Sequence, residues 1–297
     1  MQSQRIESKS SQTAAYTCFT RGCATREKNP HFRGPDYIAE KMFPPIAKLV
    51  LNIKPARKLM IKTMFPPGIY EYVLARTKVM DAAFQSALLE QYKQVVILGA
   101  GFDSRAIRFN EVNRSTRIIE LDAATTQNAK IEVMQKNDIQ IPSTLTFAPI
   151  DFNKEDLLEV LQKNGYAKNE RTLFLWEGVT MYISAGAVDK TLEFIREYSA
   201  AGSRVVYDYI FASVLRKENR YYGEKGIVNT VSSVGEGWSF GLEEGEIENF
   251  LDKRGFNCVT HYSPEDLESQ FLTDDKGTLL GRVNGTHCIV VAEVKEE

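Results

Sequence analysis

Four apolar runs in the middle of the chain each end in a residue that can do chemistry. Gly99-Ala100-Gly101 follows residues 94–98, Asp122 follows 117–121, Asp151 follows 145–150, and Glu177 follows 172–176. A Gly-x-Gly after a strand lets the backbone turn sharply and approach a ligand closely. Asp122 comes about twenty residues later, where a carboxylate bonds ribose hydroxyls; an ionised carboxylate is a pure acceptor and takes two such protons. Asp151 suits an exocyclic amine, with Phe152 flanking a base. Glu177 suits a general base or the electrostatic partner of a cation. Each position also has a structural reading. The glycines make a tight turn, Asp122 and Asp151 make helix N-caps, and Glu177 accepts backbone amides. The series in order argues for a site, because ligands of open α/β sheets bind beyond the carboxyl ends of the strands.

The elements that position these residues are legible from periodicity. Residues 94–98, 117–121, 145–150, 172–176 and 204–209 read as near-continuous apolar strands. Helical stretches at 123–137, 154–164 and 187–201 alternate with them, which predicts βαβ units and a parallel sheet covered on both faces. Residues 1–90 read as helical, broken at Pro44-Pro45 and Pro66-Pro67. Tyr70 to Tyr92 reads as one long helix. The tetrapeptide MFPP at 42–45 and 64–67 reads as coincidence, not a repeat. Lys41 to Tyr70 carries six basic residues and no acidic one. That is either a basic lid for an anionic substrate or membrane surface, or a solvated helix face. Residues 211–244 have no clear period and read as a functional insertion. A helix over 245–255, a strand over 256–262, a helix over 264–273 and a last strand over 289–294 complete the pattern.

Composition narrows the function. The 297 residues carry 37 basic and 39 acidic side chains, a net charge of −2, which argues against a nucleic-acid binder. The three histidines, His31, His261 and His287, are far apart, and the four cysteines form no CxxC pair, so no metal site is expected. The start is polar, with no apolar signal segment, and apolar runs are too short to span a membrane. A cytoplasmic protein with free thiols is the expectation.

The runs QVVILGAGFDSRAIRF and IIELDAATTQNAK, the pair Asp151-Phe152 and the run TLFLWEGVTMYIS together resemble the leucine carboxyl methyltransferase family. This is a branch of the class I S-adenosylmethionine-dependent methyltransferases. The likeness is nearest to bacterial and archaeal members that include polyketide carboxyl O-methyltransferases. The runs TAAYTCFTRGCATREKN and GEGWSFGLEEGEIENFLDKRGF carry it over nearly the whole chain. Ser104 stands where the family often has threonine. The resemblance implies an α/β, Rossmann-like fold: a seven-stranded mixed sheet, helices on both faces, and an N-terminal helical cap. Residues 1–90 would form the cap, and 91–297 the cofactor domain, with 211–244 as a substrate-side insertion.

The resemblance also implies S-adenosylmethionine in the crevice. Gly99, Ala100 and Gly101 would line its methionine part, Asp122 its ribose, Asp151 and Phe152 its adenine, and Glu177 its amino group. Arg76 would bind its carboxylate, since guanidinium and carboxylate pair bidentately. Arg21 would meet cofactor or substrate. The reaction expected is in-line methyl transfer to a carboxylate, or a hydroxyl, of a small molecule. A carboxylate needs no base; a hydroxyl would draw on His31, Tyr182 or Tyr209. Tyr221, Tyr222, Trp238 and Phe240 would line the acceptor pocket or form lid core. The alternatives are methylation of a protein C-terminal carboxyl group, a nicotinamide-dependent oxidoreductase, and a non-enzymatic binding module. The oxidoreductase reading is weakened by Ser104 in place of a third glycine.

Overall fold

Runs rich in valine, isoleucine and aromatics, too short for helices, set the strands. In the computed structural model these are β1 (Gln94–Leu98), β2 (Arg117–Asp122), β3 (Leu145–Pro149), β4 (Thr172–Trp176), β5 (Arg204–Ile210), β6 (Phe256–Tyr262) and β7 (His287–Val294). The structure describes residues 12–43, 45–152, 154–234 and 237–296. The polar start, Pro44 of the first MFPP and part of the GEGW run lie outside these. The strands form one sheet in the order β3-β2-β1-β4-β5-β7-β6. β1 to β5 run parallel, and β7 is antiparallel to both of its neighbours. The chain order reverses between β1 and β4, which places the switch-point crevice at the Gly99 turn.

The helices are α1 (Gln12–Ala24), α2 (Pro45–Asn52), α3 (Lys54–Met64), α4 (Ile69–Leu89), α5 (Arg105–Arg108), α6 (Ala124–Lys136), α7 (Leu157–Lys163), α8 (Ala185–Tyr198), α9 (Ala212–Leu215), α10 (Glu224–Val234), α11 (Ile247–Asp252) and α12 (Pro264–Phe271). Side chains alternate across each strand. Val95, Ile97, Leu173, Leu175 and Val206 pack with Val73, Met80 and Phe84 of α4 on one face. Val96, Leu98, Phe174, Trp176, Tyr207 and Tyr209 pack with Val188, Leu192 and Leu251 on the other. Helix α4, counted with the cap in the sequence reading, therefore shares its core with the sheet. It is buried on most sides, with Arg76 and Asp81 among its buried residues.

Residues 211–244 differ from the aperiodic reading, since they contain α9 and α10. Gly226 and the β-branched residues Ile227, Val228, Thr230 and Val231 lower helix propensity there and mask the period. Gly68 opens α4 at φ 79°. A Cβ there would lie 2.4 Å from the backbone nitrogen of Asn284 and 2.8 Å from its Cα. Neither atom can swing aside. Gly68→Ala is expected to destabilise the fold by about 2–4 kcal/mol, read as a lower denaturation midpoint with unchanged slope.

Candidate functional site

Strand alternation places Glu120 of β2, Glu177 after β4 and Asp208 of β5 toward α4, the face on which Val206 and Leu175 pack. Arg76 of α4 meets two of them. Its Nη1 donates to Asp208 Oδ2 at 2.7 Å, and its Nε lies 3.0 Å from Glu177 Oε1 without the alignment of a hydrogen bond. The other oxygen of Glu177 accepts from Arg105 Nη2 at 2.8 Å. Arg105 also donates to Asp81 Oδ1 at 2.9 Å and pairs with Asp103. Arg108 grips both oxygens of Asp81, at 2.5 and 2.7 Å. Arg21 of α1 donates to Asp36 at 2.8 Å and to the Phe102 carbonyl at 2.6 Å. Asp36 accepts from Ser104 Oγ at 2.7 Å. Asp208 also takes Tyr72 Oη at 2.8 Å and the Gly178 amide at 2.6 Å. The charged side chains of this set are 12% exposed or less, so each charge depends on its partners. Burial would raise the Glu177 carboxyl, but Arg105, Arg76 and Arg21 hold it down to about 2, ionised throughout the neutral range.

The glycine turn lies beside this lattice. Gly99 and Gly101 have φ of 69° and 51°. A Cβ on Gly99 would sit 2.7 Å from Val179 Cγ2, and one on Gly101 would sit 2.9 Å from Ala14 Cβ of α1. The amide of the intervening Ala100 donates to the Leu121 carbonyl at 2.9 Å, which joins the turn to the end of β2. Asp122 accepts from the Gly101 amide at 2.6 Å and the Ala123 amide at 2.7 Å. It is not the N-cap of α6; Ala123 is, with no side-chain bond. Burial raises the Asp122 carboxyl, and those two amides oppose the rise. At the end of β3, Asp151 pairs with Lys154 at 2.7 Å, and the Phe152 ring is 53% exposed. The N-cap of α7 is Asp156, not Asp151.

This set fits S-adenosylmethionine. Glu177 offers a fixed anion to a cationic amine. Asp122 keeps lone pairs for hydroxyls, since a carboxylate accepts at about four sites. Phe152 offers a bare ring face. Arg76 Nη2 has no hydrogen-bond partner among the described residues and is available to a carboxylate.

A second group of residues follows from β7. His287 opens that strand opposite Ile210. Its ring lies 4.4 Å from the Tyr72 ring and 5.4 Å from Trp238, which in turn stands 6.4 Å from Tyr182. Burial, and then the charge of Arg76, lower the imidazole to about 3, so it is neutral. The tautomer follows from its neighbours. Asn284 Nδ2 donates to the Pro67 carbonyl at 2.8 Å, so its Oδ1 accepts the Thr286 hydroxyl at 2.6 Å. The 2.7 Å contact of Thr286 Oγ1 with His287 Nδ1 then needs the proton on Nδ1, which leaves Nε2 as an acceptor.

The other residues singled out from the sequence go elsewhere. Tyr209 faces the opposite side of the sheet and bonds His261 Nε2 at 2.9 Å. His31 lies 3.3 Å from Asp275, and Lys78 donates to its carbonyl. Lys78 is two residues past Arg76, about 200° around the helix. Phe240 is core, packed on Phe250. Tyr221 stacks on Phe211, and Tyr222 lies under Arg282. Of the aromatic residues proposed as acceptor lining, only Trp238 joins Tyr182. Asp208, Arg105, Asp81 and His287 were not singled out from the sequence. For Asp208 the signal was available as a charge inside an apolar strand run.

An open sheet of five parallel strands, a glycine turn at its switch point and an antiparallel β7 between β5 and β6 define the class I methyltransferase fold. A crystal structure of a DUF574-family protein from Streptomyces avermitilis shares the fold, with a TM-score of 0.60 over 98% of this chain and 100% of that one, at 14% identity. The chain belongs to the leucine carboxyl methyltransferase family, whose sequence pattern matches residues 14–196, and it is accordingly an S-adenosylmethionine-dependent methyltransferase. It is similar to YktD of Bacillus subtilis, provisionally named as such a methyltransferase, with 27% identity over 92% of this chain and 95% of that one. A Frankia alni relative with the same provisional description is 34% identical over 45% of this chain and 46% of its own. No helix among the described residues is long and apolar enough to cross a membrane.

Asp122→Ala is expected to weaken S-adenosylhomocysteine about tenfold to a hundredfold in calorimetric titration, and an unchanged affinity would remove its assigned role. The lowered Glu177 carboxyl gives a pH signature. A group depressed in the folded state stabilises it above the ordinary value of 4.5, and that stabilisation is lost as pH falls toward about 2. Unfolding free energy of Glu177→Gln should therefore vary less than wild type between those pH values; identical slopes would contradict the pairing.

Proposed function

We propose that the protein transfers a methyl group from S-adenosylmethionine to an oxygen of a small molecule, in the first instance a carboxylate oxygen. The observation that carries the reading is Glu177, held ionised between Arg76 and Arg105 beside the Gly99–Gly101 turn. When bound, S-adenosylmethionine supplies an electrophilic sulfonium methyl. The protein's task is then to orient the acceptor oxygen at about 3–3.5 Å and to keep water out. Arg76, Asp122, Phe152 and Glu177 would hold the cofactor, with Arg21 bracing α1 across Phe102. Helix α1 covers the glycine turn directly, through Ala14. A covered turn supports a small acceptor over a protein tail. A carboxylate is already ionised at neutral pH and needs no base.

His287 favours a second reading, a hydroxyl acceptor. Its Nε2 is an acceptor with no partner among the described residues, and Thr286 and Asn284 fix the tautomer. At about 3 the imidazole is a weak base at neutral pH, so its part would be to accept the hydroxyl's hydrogen bond and orient it. The test is transfer of labelled methyl from S-adenosylmethionine to matched acceptors that carry either a carboxylate or a hydroxyl. Base-labile ester product is expected, with His287→Ala changing kcat less than about tenfold. Base-stable ether product and a loss of about a hundredfold or more in His287→Ala would establish the hydroxyl reading instead. No product with any acceptor, in protein that binds the cofactor, would contradict both.

A further inference from the structure

The segment that follows α1, the end of α2 and the first turns of α3 line a second cationic cavity, separate from the crevice. It has a volume of about 330 Å³ and is lined by Arg26, Lys28, Lys54, Arg57 and Lys58, against the single carboxylate of Glu27. That size lies at the small end of ligand pockets. Arg57 is its anchor. The residue is 5% exposed, donates to the carbonyls of Leu51 at 2.7 Å and Arg26 at 3.2 Å, and leaves Nε buried with no partner. No carboxylate lies within ion-pairing distance of Arg57 among the described residues, unlike Arg21, Arg76, Arg105 and Arg108. A buried guanidinium without a counter-charge is expensive, and an anion in the cavity would offset that cost.

Two further features point the same way. The cavity sits at the first turn of α3, which has no acidic residue, and its N-cap Ile53 makes no side-chain bond. Pro55 in that turn has no N–H, so the helix contributes there the Lys54 backbone and the positive end of its dipole. Lys28, Lys54 and Lys58 are exposed and make no salt bridge among the described residues. Arg26 differs, being held on Glu40 at 2.7 and 2.5 Å. Glu27 is turned partly to Tyr70, whose hydroxyl lies 3.3 Å from it.

We propose that this cavity is an anion site that takes a phosphate group, with Arg57 as buried anchor and Lys54, Lys58 and Lys28 as its rim. A phosphate dianion matches several converging cations better than a monovalent carboxylate does. The proposal is independent of the methyl-transfer reading. Its test is titration of the full chain in low-salt zwitterionic buffer, with two arms. One arm uses inorganic phosphate and glycerol 3-phosphate, followed by calorimetry. The other uses vesicles of phosphatidylcholine with and without phosphatidic acid, followed by sedimentation. Each is repeated with the exposed double variant Lys54→Gln/Lys58→Gln, its fold checked by thermal unfolding. The expected result is one phosphate group bound per chain and weakened about tenfold or more in the variant. Binding in the first arm places that group on a free small molecule; binding only to phosphatidic acid vesicles places it on a lipid headgroup. No binding in either arm, or binding that the double variant leaves undiminished, overturns the proposal.

Discussion

Glu177 keeps its charge at the carboxyl end of β4 because two guanidinium groups hold it there. One comes from α4 through Arg76, the other from the turn after β1 through Arg105. Neither arginine serves Glu177 alone. Arg76 also holds Asp208, and Arg105 also holds Asp81 and Asp103. Removing one partner of such a buried pair strands the other, at a cost of about 3–5 kcal/mol. The arrangement is thus costly to build and costly to break. A ligand site gains a fixed anion that needs no rearrangement when a cation arrives, which is electrostatic preorganisation.

The same lattice fastens the N-terminal segment to the sheet. From Asp208 it runs through Arg76, Glu177, Arg105, Asp81 and Arg108 to Ser104, Asp36 and Arg21 of α1. Helix α1 then crosses the glycine turn at Ala14. The element that covers the crevice and the carboxylate that faces it are therefore tied by one set of charges. The neighbouring group is built differently, from rings: Tyr72, His287, Trp238 and Tyr182. Tyr72 joins the two halves, since its hydroxyl bonds Asp208 while its ring meets His287.

How much of this was legible in the sequence depends on the range of the interaction. Strand ends at Gly99, Asp122 and Glu177 follow from local period and turn chemistry, so they were readable in place. Seven strands and their mixed sheet followed from the βαβ alternation and the family resemblance. Helix α10 was not readable, because β-branched residues and Gly226 obscure its period. The ion lattice joins residues up to 132 positions apart, as Arg76 and Asp208 are, and pairing at that range has no local signature. Tyr209 and Asp208 make the point most sharply. They are neighbours, yet the pleat sends Tyr209 to His261 and Asp208 to Arg76. His287 had no spacing to other histidines, and only the antiparallel return of β7 brings it beside Tyr72.

We propose that the ionised carboxylate of Glu177 is the group that receives the cationic amine of the cofactor. Calorimetric titration of folded Glu177→Gln with S-adenosylhomocysteine, beside wild type, measures it most directly. That ligand keeps the amine and lacks the sulfonium charge, so it reports on the amine alone. Affinity is expected to fall by about tenfold to a hundredfold or more in the variant. Equal affinity in the two proteins would contradict it.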